Sequence, residues 1–469
     1  MSFHKIFGFR TVCLLAAAVV FFTRLATADT GAPCTEEKLG EVTYKPYWTA
    51  RNTSPEGCHL ASVIPGSKLG SMVMVADGQR GPEYDAILKR MPVYSGDSKH
   101  TAYVARKEDE WFVVADGQQG PAWKAILENS LVLSEDGKRM AYVVRRDNRW
   151  FVVVDEKESP PYDEVISMPV FSSDGQRVAY AAMNKDKQFV VVDGEVGPQY
   201  NTIRENSLIF SKDGKRVAYA AENDGLMFVV VDGQPGEKFG EITRGTLAFS
   251  ENGQRLAYAA AKGLKRFVVV DGQIGPEFEG IIKGSLQISA DGSHVAYVAL
   301  KNTKQMLVCD GKNDPPYKKV ETPLFSPDGK RLAYLAQAAD TGRTHFVVVD
   351  GKAEPAYDDI FNSSLVFSAD GRHVAYAAAK DDKWMVVVDG KAGEEYLGVG
   401  APVFSPDGLH VAYRASINGQ AFVMVDGKAI PKYTGIVSEP VFRKDGALEF
   451  LSLEKDVLYR ITQPHAPKP

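Results

Sequence analysis

Residues Ser207 to Ile242 read SLIFSKDGKRVAYAAENDGLMFVVVDGQPGEKFGEI, and near-copies of this stretch fill the chain. Ser207-Leu208-Ile209-Phe210-Ser211-Lys212-Asp213-Gly214, for example, returns as Ser285-Leu286-Gln287-Ile288-Ser289-Ala290-Asp291-Gly292. The aspartate that ends the valine run recurs at Asp77, Asp116, Asp155, Asp193, Asp232, Asp271, Asp310, Asp350, Asp389 and Asp426, at intervals of 37 to 40 residues. A fixed period near 40 describes one supersecondary unit that cannot bury its own faces and must stack on its neighbours.

Within the stretch, Leu208 to Ser211 is a short apolar run. Asp213-Gly214 signals a turn, because Gly adopts positive φ freely and Asp tolerates the left-handed region. Arg216 to Ala220 reads as a second strand, Glu222 to Gly225 as a polar turn and Phe228 to Val231 as a third strand. Phe239 to Ile242 reads as a short fourth. Four short antiparallel strands per repeat match one blade of an all-β propeller. A helical repeat would need runs of ten or more residues at 3.6 spacing, and valine runs disfavour helix. The valine runs do not alternate with polar residues, as expected of strands sandwiched between two neighbouring sheets. The Ala-Tyr pair recurs nine times, from Tyr103 to Tyr413. Small beside large, repeated, reads as interdigitation of facing blades; a ligand platform is the alternative.

Phe325-Ser326-Pro327-Asp328-Gly329-Lys330-Arg331-Leu332-Ala333-Tyr334 and Phe404-Ser405-Pro406-Asp407-Gly408 resemble the TolB-type propeller repeat, which also occurs in the propellers of prolyl-oligopeptidase-like enzymes. The resemblance covers about Pro92 to Lys444. It implies the fold and is nearly silent on activity, because such repeats serve binding scaffolds, enzyme gates and lyases alike. Nine complete units run from Pro92 to Ile436, with partial units on both sides, so about 10 blades and at most 11 are expected. Val42 to Trp48 is a candidate for a missing first strand, and the two ends are expected to share a blade, which removes exposed strand edges. The joins between units are uniformly short and the largest irregularity, Gln337 to His345, lies inside a unit. One continuous ring is therefore expected, with two tandem smaller propellers as the alternative.

Residues 1–28 read as a secretory signal peptide: Lys5 and Arg10, an apolar run from Thr11 to Phe22, then Ala26-Thr27-Ala28. The run is too short to span a bilayer. Residues 29–45 form an N-terminal tail, 46–462 the propeller repeats and 463–469 a C-terminal tail, and a periplasmic or secreted location is expected. Cys34 and Cys58 could pair in an oxidising compartment, or stay as two free thiols. Cys309 replaces a valine and reads as a small buried apolar residue. The net charge of −5 is spread without basic blocks, so nothing favours nucleic acid or an anionic membrane.

The turns after the first and third strands share one face of a blade and barely vary. The second-to-third loops and the joins between blades lie toward the other face and vary, which is where scaffolds place recognition. The recurring Asp precedes Gly in nine of ten copies, so turn chemistry explains it better than a metal ring. His294, His373 and His410 stand where other copies carry Arg or Lys, a substitution within a turn and not a ligand set. No G-x-S-x-G elbow, H-E-x-x-H or P-loop is present, and the hydrolase domain that follows some related propellers is not expected here. No catalytic residue, metal or cofactor is expected. The candidate partner rim comprises Arg90, Glu128, Asn129, Arg204, Glu205, Asn206, Arg244, Lys283 and Asn362 on the joins. The chain thus reads as a non-catalytic extracytoplasmic scaffold. Its expected partner is another envelope or secreted protein or a polymer ligand, with no nucleic acid and no membrane span after signal cleavage. A lyase or hydrolase acting on glycans or peptides is the alternative.

Overall fold

A computed structural model of the chain describes residues 24–27, 33–41, 50–53, 60–76, 79–88, 92–338, 344–430, 433, 435–455 and 457–464. These are strands and turns without α-helix. They form eleven sheets: nine from the complete repeats, one four-stranded sheet before them and one five-stranded sheet after them. The protein is a β-propeller whose blades are copies of one hairpin-based unit.

The blade that follows Ser207–Ile242 shows how the repeat builds. Leu256–Lys262 and Lys265–Val270 form the central hairpin, with Tyr258 opposite Val269. Gln273–Ile274 adds the outer strand, continued by a bridge from Arg266 to Phe278. Two short pieces, Glu241–Ile242 and Ala248–Phe249, pair one after the other along the far side of Leu256–Lys262. The expected fourth strand is therefore divided between two sheets. Phe239 bridges Met227 in its own sheet, whereas Glu241 and Ile242 pair with Ala261 and Ala260 of the next. Each repeat hands its last residues forward.

The central strands are dry on both faces. Phe267, Val268 and Val269 are at most 3 % exposed, and each such side chain contributes roughly 1.5–3 kcal/mol of burial. In the adjoining strand Ala257, Ala259 and Ala260 leave room for the large residues of the neighbouring sheet.

By contact the chain falls into two compact units, one of residues 1–44, 303–307 and 313–469, the other of residues 45–302 and 308–312. In the first, Pro33–Glu41 pairs with Val457–Gln463, so both ends of the chain share one sheet. That strand lies in the segment expected as an N-terminal tail, and Arg24–Thr27, which pairs with it, reaches into the expected signal peptide. The remainder of residues 1–28, the candidate strand Val42 to Trp48, and the middle of the Gln337 to His345 loop lie outside the described residues.

Candidate functional site

The signature that recurs in every repeat is consumed in holding sheets together. Ser172 Oγ donates to Asp174 Oδ1 at 2.5 Å and accepts the Arg177 backbone N–H at 2.9 Å, while the Gln176 N–H donates to the same carboxylate oxygen at 3.0 Å. Arg177 Nε donates to Asp193 Oδ2 at 2.8 Å, and Asp193 Oδ1 accepts the Val178 N–H at 2.9 Å. Arg177 Nη1 then reaches the next sheet, donating to the carbonyls of Gly214 at 3.1 Å and Lys215 at 2.8 Å, with its guanidinium 5.3 Å above the Phe210 ring. Arg139, Arg216, Arg255 and Arg331 repeat the reach to the following turn. Side-chain donors hold the turn carboxyls low: the Ser134 hydroxyl and the Lys138 ammonium bring Asp136 to about 2, and the Ser289 and Ser293 hydroxyls bring Asp291 to about 2.

Among the described residues, the aspartates that end the valine runs, Asp116 to Asp426, sit at φ between 46° and 52°, the left-handed turn position that short polar residues tolerate. In four repeats a histidine replaces the arginine, and its Nδ1 lies beside the same aspartate: His100–Asp116 at 2.8 Å, and His294–Asp310, His373–Asp389 and His410–Asp426 at 2.6 Å. The fixed separation of 16 residues in these pairs is a signal that a reading by single motif misses.

The tyrosines of the Ala-Tyr pairs pack between sheets. Each meets an aromatic ring from the preceding outer strand edge-on, with centroids 5.9–6.2 Å apart, from Tyr84–Tyr103 to Tyr396–Tyr413. Burial raises their hydroxyl pKa values, that of Tyr258 to about 12. This is the packing arrangement. Grooves of about 580 and 860 Å³ open on the same Asp-Gly side, the first walled by Arg177, Asp193 and Tyr219 and the second by His373, Asp389 and Tyr413.

On the other face, the second-to-third loops and the joins touch, as the strand order requires. The Asn201 N–H donates to Asn223 Oδ1 at 2.9 Å, and the Lys185 N–H donates to Asp163 Oδ2 at 2.8 Å. The candidate rim residues lie further along, in the turn that splits the inner strand. Ser207 Oγ donates to the Arg204 carbonyl at 2.6 Å and accepts the Ala220 N–H at 3.0 Å. Ser130, Thr246, Ser285 and Ser364 make the same pair of bonds. Glu128, Asn129, Glu205, Asn206, Arg244, Lys283 and Asn362 are exposed on these turns, and Arg204 is half-buried. They occupy the inner edge of each sheet, midway along it and not at the loop end, because Ile203 pairs with Ala221 and Ile209 with Ala218.

Two of them meet. Arg204 Nη2 lies 2.8 Å from Met227 Sδ. Burial and then the charge of Arg244 in the next turn lower the Arg204 pKa, with Glu241 opposing. Among the described residues neither arginine has a carboxylate within ion-pair distance. Asn362 instead donates to Glu321 at 3.3 Å. Arg90 lies outside the described residues, as does Cys58, which could pair with Cys34 or stay a free thiol.

Cys309 departs from its expected role. It is half-exposed, as are Val192, Val231 and Val270, which also stand before turn aspartates, whereas Val349 in the same place is buried. His294 and Cys309 also come together with Asp310, a juxtaposition that the turn position of His294 in the sequence does not predict.

Among the described residues no helix is long and apolar enough to cross a membrane. No family model matches the sequence, and no curated protein matches it. Among solved structures, the chain is similar to a eukaryotic initiation factor at 14 % identity, covering 87 % of this chain and 99 % of that one with a TM-score of 0.39. It is similar to the β-propeller domain of the Trilobed protease from Pyrococcus furiosus at 13 % identity, covering 58 % and 96 % with a TM-score of 0.29. It is also similar to TolB from Acinetobacter baumannii at 14 % identity, covering 62 % and 78 % with a TM-score of 0.24.

Proposed function

We propose that this propeller is an extracytoplasmic, non-catalytic scaffold that holds a protein or polymer partner at the inner edge of its sheets. The observation that carries the reading is that half-buried Arg204 lies within the electrostatic influence of the exposed Arg244 on the next turn. The two cations stand on successive turns, and the charge of Arg244 adds to burial in disfavouring the charge of half-buried Arg204. Such a pair is relieved by an anionic group placed between them. The recurring Ser, Asp and Arg side chains of the opposite face are already satisfied by one another, whereas the inner-edge turns differ from blade to blade. A partner presenting carboxylates or another acidic group suits the Arg204–Arg244 edge. The signal-like residues 1–28 support placement outside the cytoplasm.

The test is capture of partners from the native envelope and secreted fractions by the full chain, compared with the double variant Arg204→Glu, Arg244→Glu. A partner that binds the parent and is lost by the variant, at unchanged melting temperature, supports the reading. A partner retained equally by both sinks it. Secretion is tested separately by following the mature N-terminus; a protein kept in the cytoplasm with residues 1–28 intact removes the extracytoplasmic part.

A further inference from the structure

His294, Cys309 and Asp310 each offer one ligand atom, and the three atoms all lie within 4.8 Å of one another. The central hairpin of the blade places them. Asp310 Oδ1 accepts the Val295 N–H at 2.9 Å, which turns Oδ2 toward the groove. His294 Nδ1 stands 2.6 Å from that oxygen, and Cys309 Sγ stands 3.8 Å from it. The His294 backbone is itself pinned, its N–H donating to Ser289 Oγ at 2.9 Å. We propose that these three residues form a binding site for a zinc-class divalent ion, with solvent as the fourth ligand.

The donor set fits a borderline-soft ion, since thiolate, imidazole and carboxylate together favour zinc over magnesium or calcium. Zinc bonds of about 2.0–2.3 Å in tetrahedral array place ligand atoms roughly 3.2–3.8 Å apart. The sulfur–oxygen separation of 3.8 Å already meets that spacing. The histidine–aspartate separation of 2.6 Å must widen as the metal replaces the shared proton. Both side chains are more than two-fifths exposed and have room to rotate. On binding, Cys309 loses its thiol proton to solvent and His294 coordinates through neutral Nδ1, with its remaining proton on Nε2.

The repeat supplies internal controls. His100–Asp116, His373–Asp389 and His410–Asp426 reproduce the imidazole–carboxylate pair, but Ala115, Val388 and Val425 stand where Cys309 does. If a histidine–aspartate pair sufficed, four sites would form; the thiolate selects one.

The experiment is titration of the reduced, chelator-stripped full chain with Zn²⁺, with Cd²⁺ and Co²⁺ as spectroscopic probes. One equivalent should bind, with a thiolate-to-metal charge-transfer band and protection of one thiol from alkylation. Cys309→Val and His294→Arg install residues that other repeats already carry, so folding is expected to persist and a melting curve checks it. Each should abolish the band or weaken binding at least tenfold, whereas His373→Arg should change neither. The proposal is overturned if Cys309→Val binds with unchanged stoichiometry and affinity. It is equally overturned if the band survives in that variant and disappears in Cys34→Ser, Cys58→Ser, or if the parent gives no thiolate band.

Discussion

The Nη1 group of Arg177 donates to the main-chain carbonyl of Lys215, 38 residues further along, at 2.8 Å. The same guanidinium is held from behind by Asp193 of its own sheet. One side chain thus closes the hairpin within a blade and ties that blade to the next. The arrangement returns at every arginine copy, so lateral cohesion rests on packed valines and tyrosines supplemented by a row of guanidinium clasps.

Replacing Arg177 by Ala is expected to cost about 1–2 kcal/mol, the sum of two carbonyl hydrogen bonds and a one-third-exposed ion pair. Arg177→His should cost less, because a histidine still reaches Asp193, as His373 reaches Asp389. Native-state hydrogen exchange is the suitable readout, since stacked repeats open locally. Protection at Ser211 and Arg216 should fall most in the alanine variant; equal protection in both variants and parent would remove the clasp from the stability account.

Gly214 sits at φ 69°, and a Cβ there would lie 3.1 Å from Ser172 Cβ of the preceding sheet. Gly214→Val is expected to destabilise by about 1–2 kcal/mol from the left-handed backbone alone, with the close approach to Ser172 adding to it. Gly292, at φ 73° and 3.0 Å from Arg255 Cγ, should behave alike. Denaturant midpoints measure both; neutral results would mean that the turns rearrange at no cost.

The turn carboxyls of Asp136 and Asp291 are held at about 2 by serine and lysine donors, below the ordinary value near 3.9. A depressed folded value means that the contribution is present above about pH 4 and is lost as pH falls toward 2. Ser134→Ala and Ser289→Ala should raise the titration midpoint of the neighbouring aspartate. Carboxyl ¹³C titration of aspartate-labelled protein checks this, and unchanged midpoints would refute the assigned cause.

Burial raises Tyr258 to about 12, so at alkaline pH the sign reverses. Its contribution is complete below about pH 10 and falls away as pH rises toward 12. Tyrosinate absorbance should show the inter-sheet tyrosines titrating late and together with loss of structure. An early titration of most of the chain's 20 tyrosines would contradict their place between sheets.

For the partner edge, charge reversal at Arg204 and Arg244 should weaken capture of the acidic envelope partner, that at exposed Arg244 moving stability by under about 0.5 kcal/mol, whereas Glu205→Lys should leave capture intact or strengthen it. Lys212→Glu and Lys215→Glu, on the Asp-Gly face, are the controls. If the lysine changes abolish capture and the arginine changes do not, the binding face is the other one.

The strand-turn-strand order and the two-sided dryness of the valine runs follow from local chemistry and were legible in residues 207–242, and the period was legible in the spacing of their copies along the chain. So were the division of loops between two faces and the packing role of the tyrosines, because a turn preference or a small-large alternation acts within a few residues of itself. Tertiary structure decided the rest. It assigned Glu241 and Ile242 to the following sheet, since an edge pairs with whichever strand stacking brings to it. It moved the rim residues from the loop end to the middle of the inner edge, because the Ser207 hydroxyl, bonded to the Ala220 amide, folds a turn into that strand. It brought His294 to Cys309 and Asp310, which are separate in sequence and adjacent only because the central hairpin closes and Val295 holds the aspartate in place. Periodicity in a chain specifies which pieces form; which side chains share a groove depends on the register of paired strands, and that is set by the packing of all the pieces together.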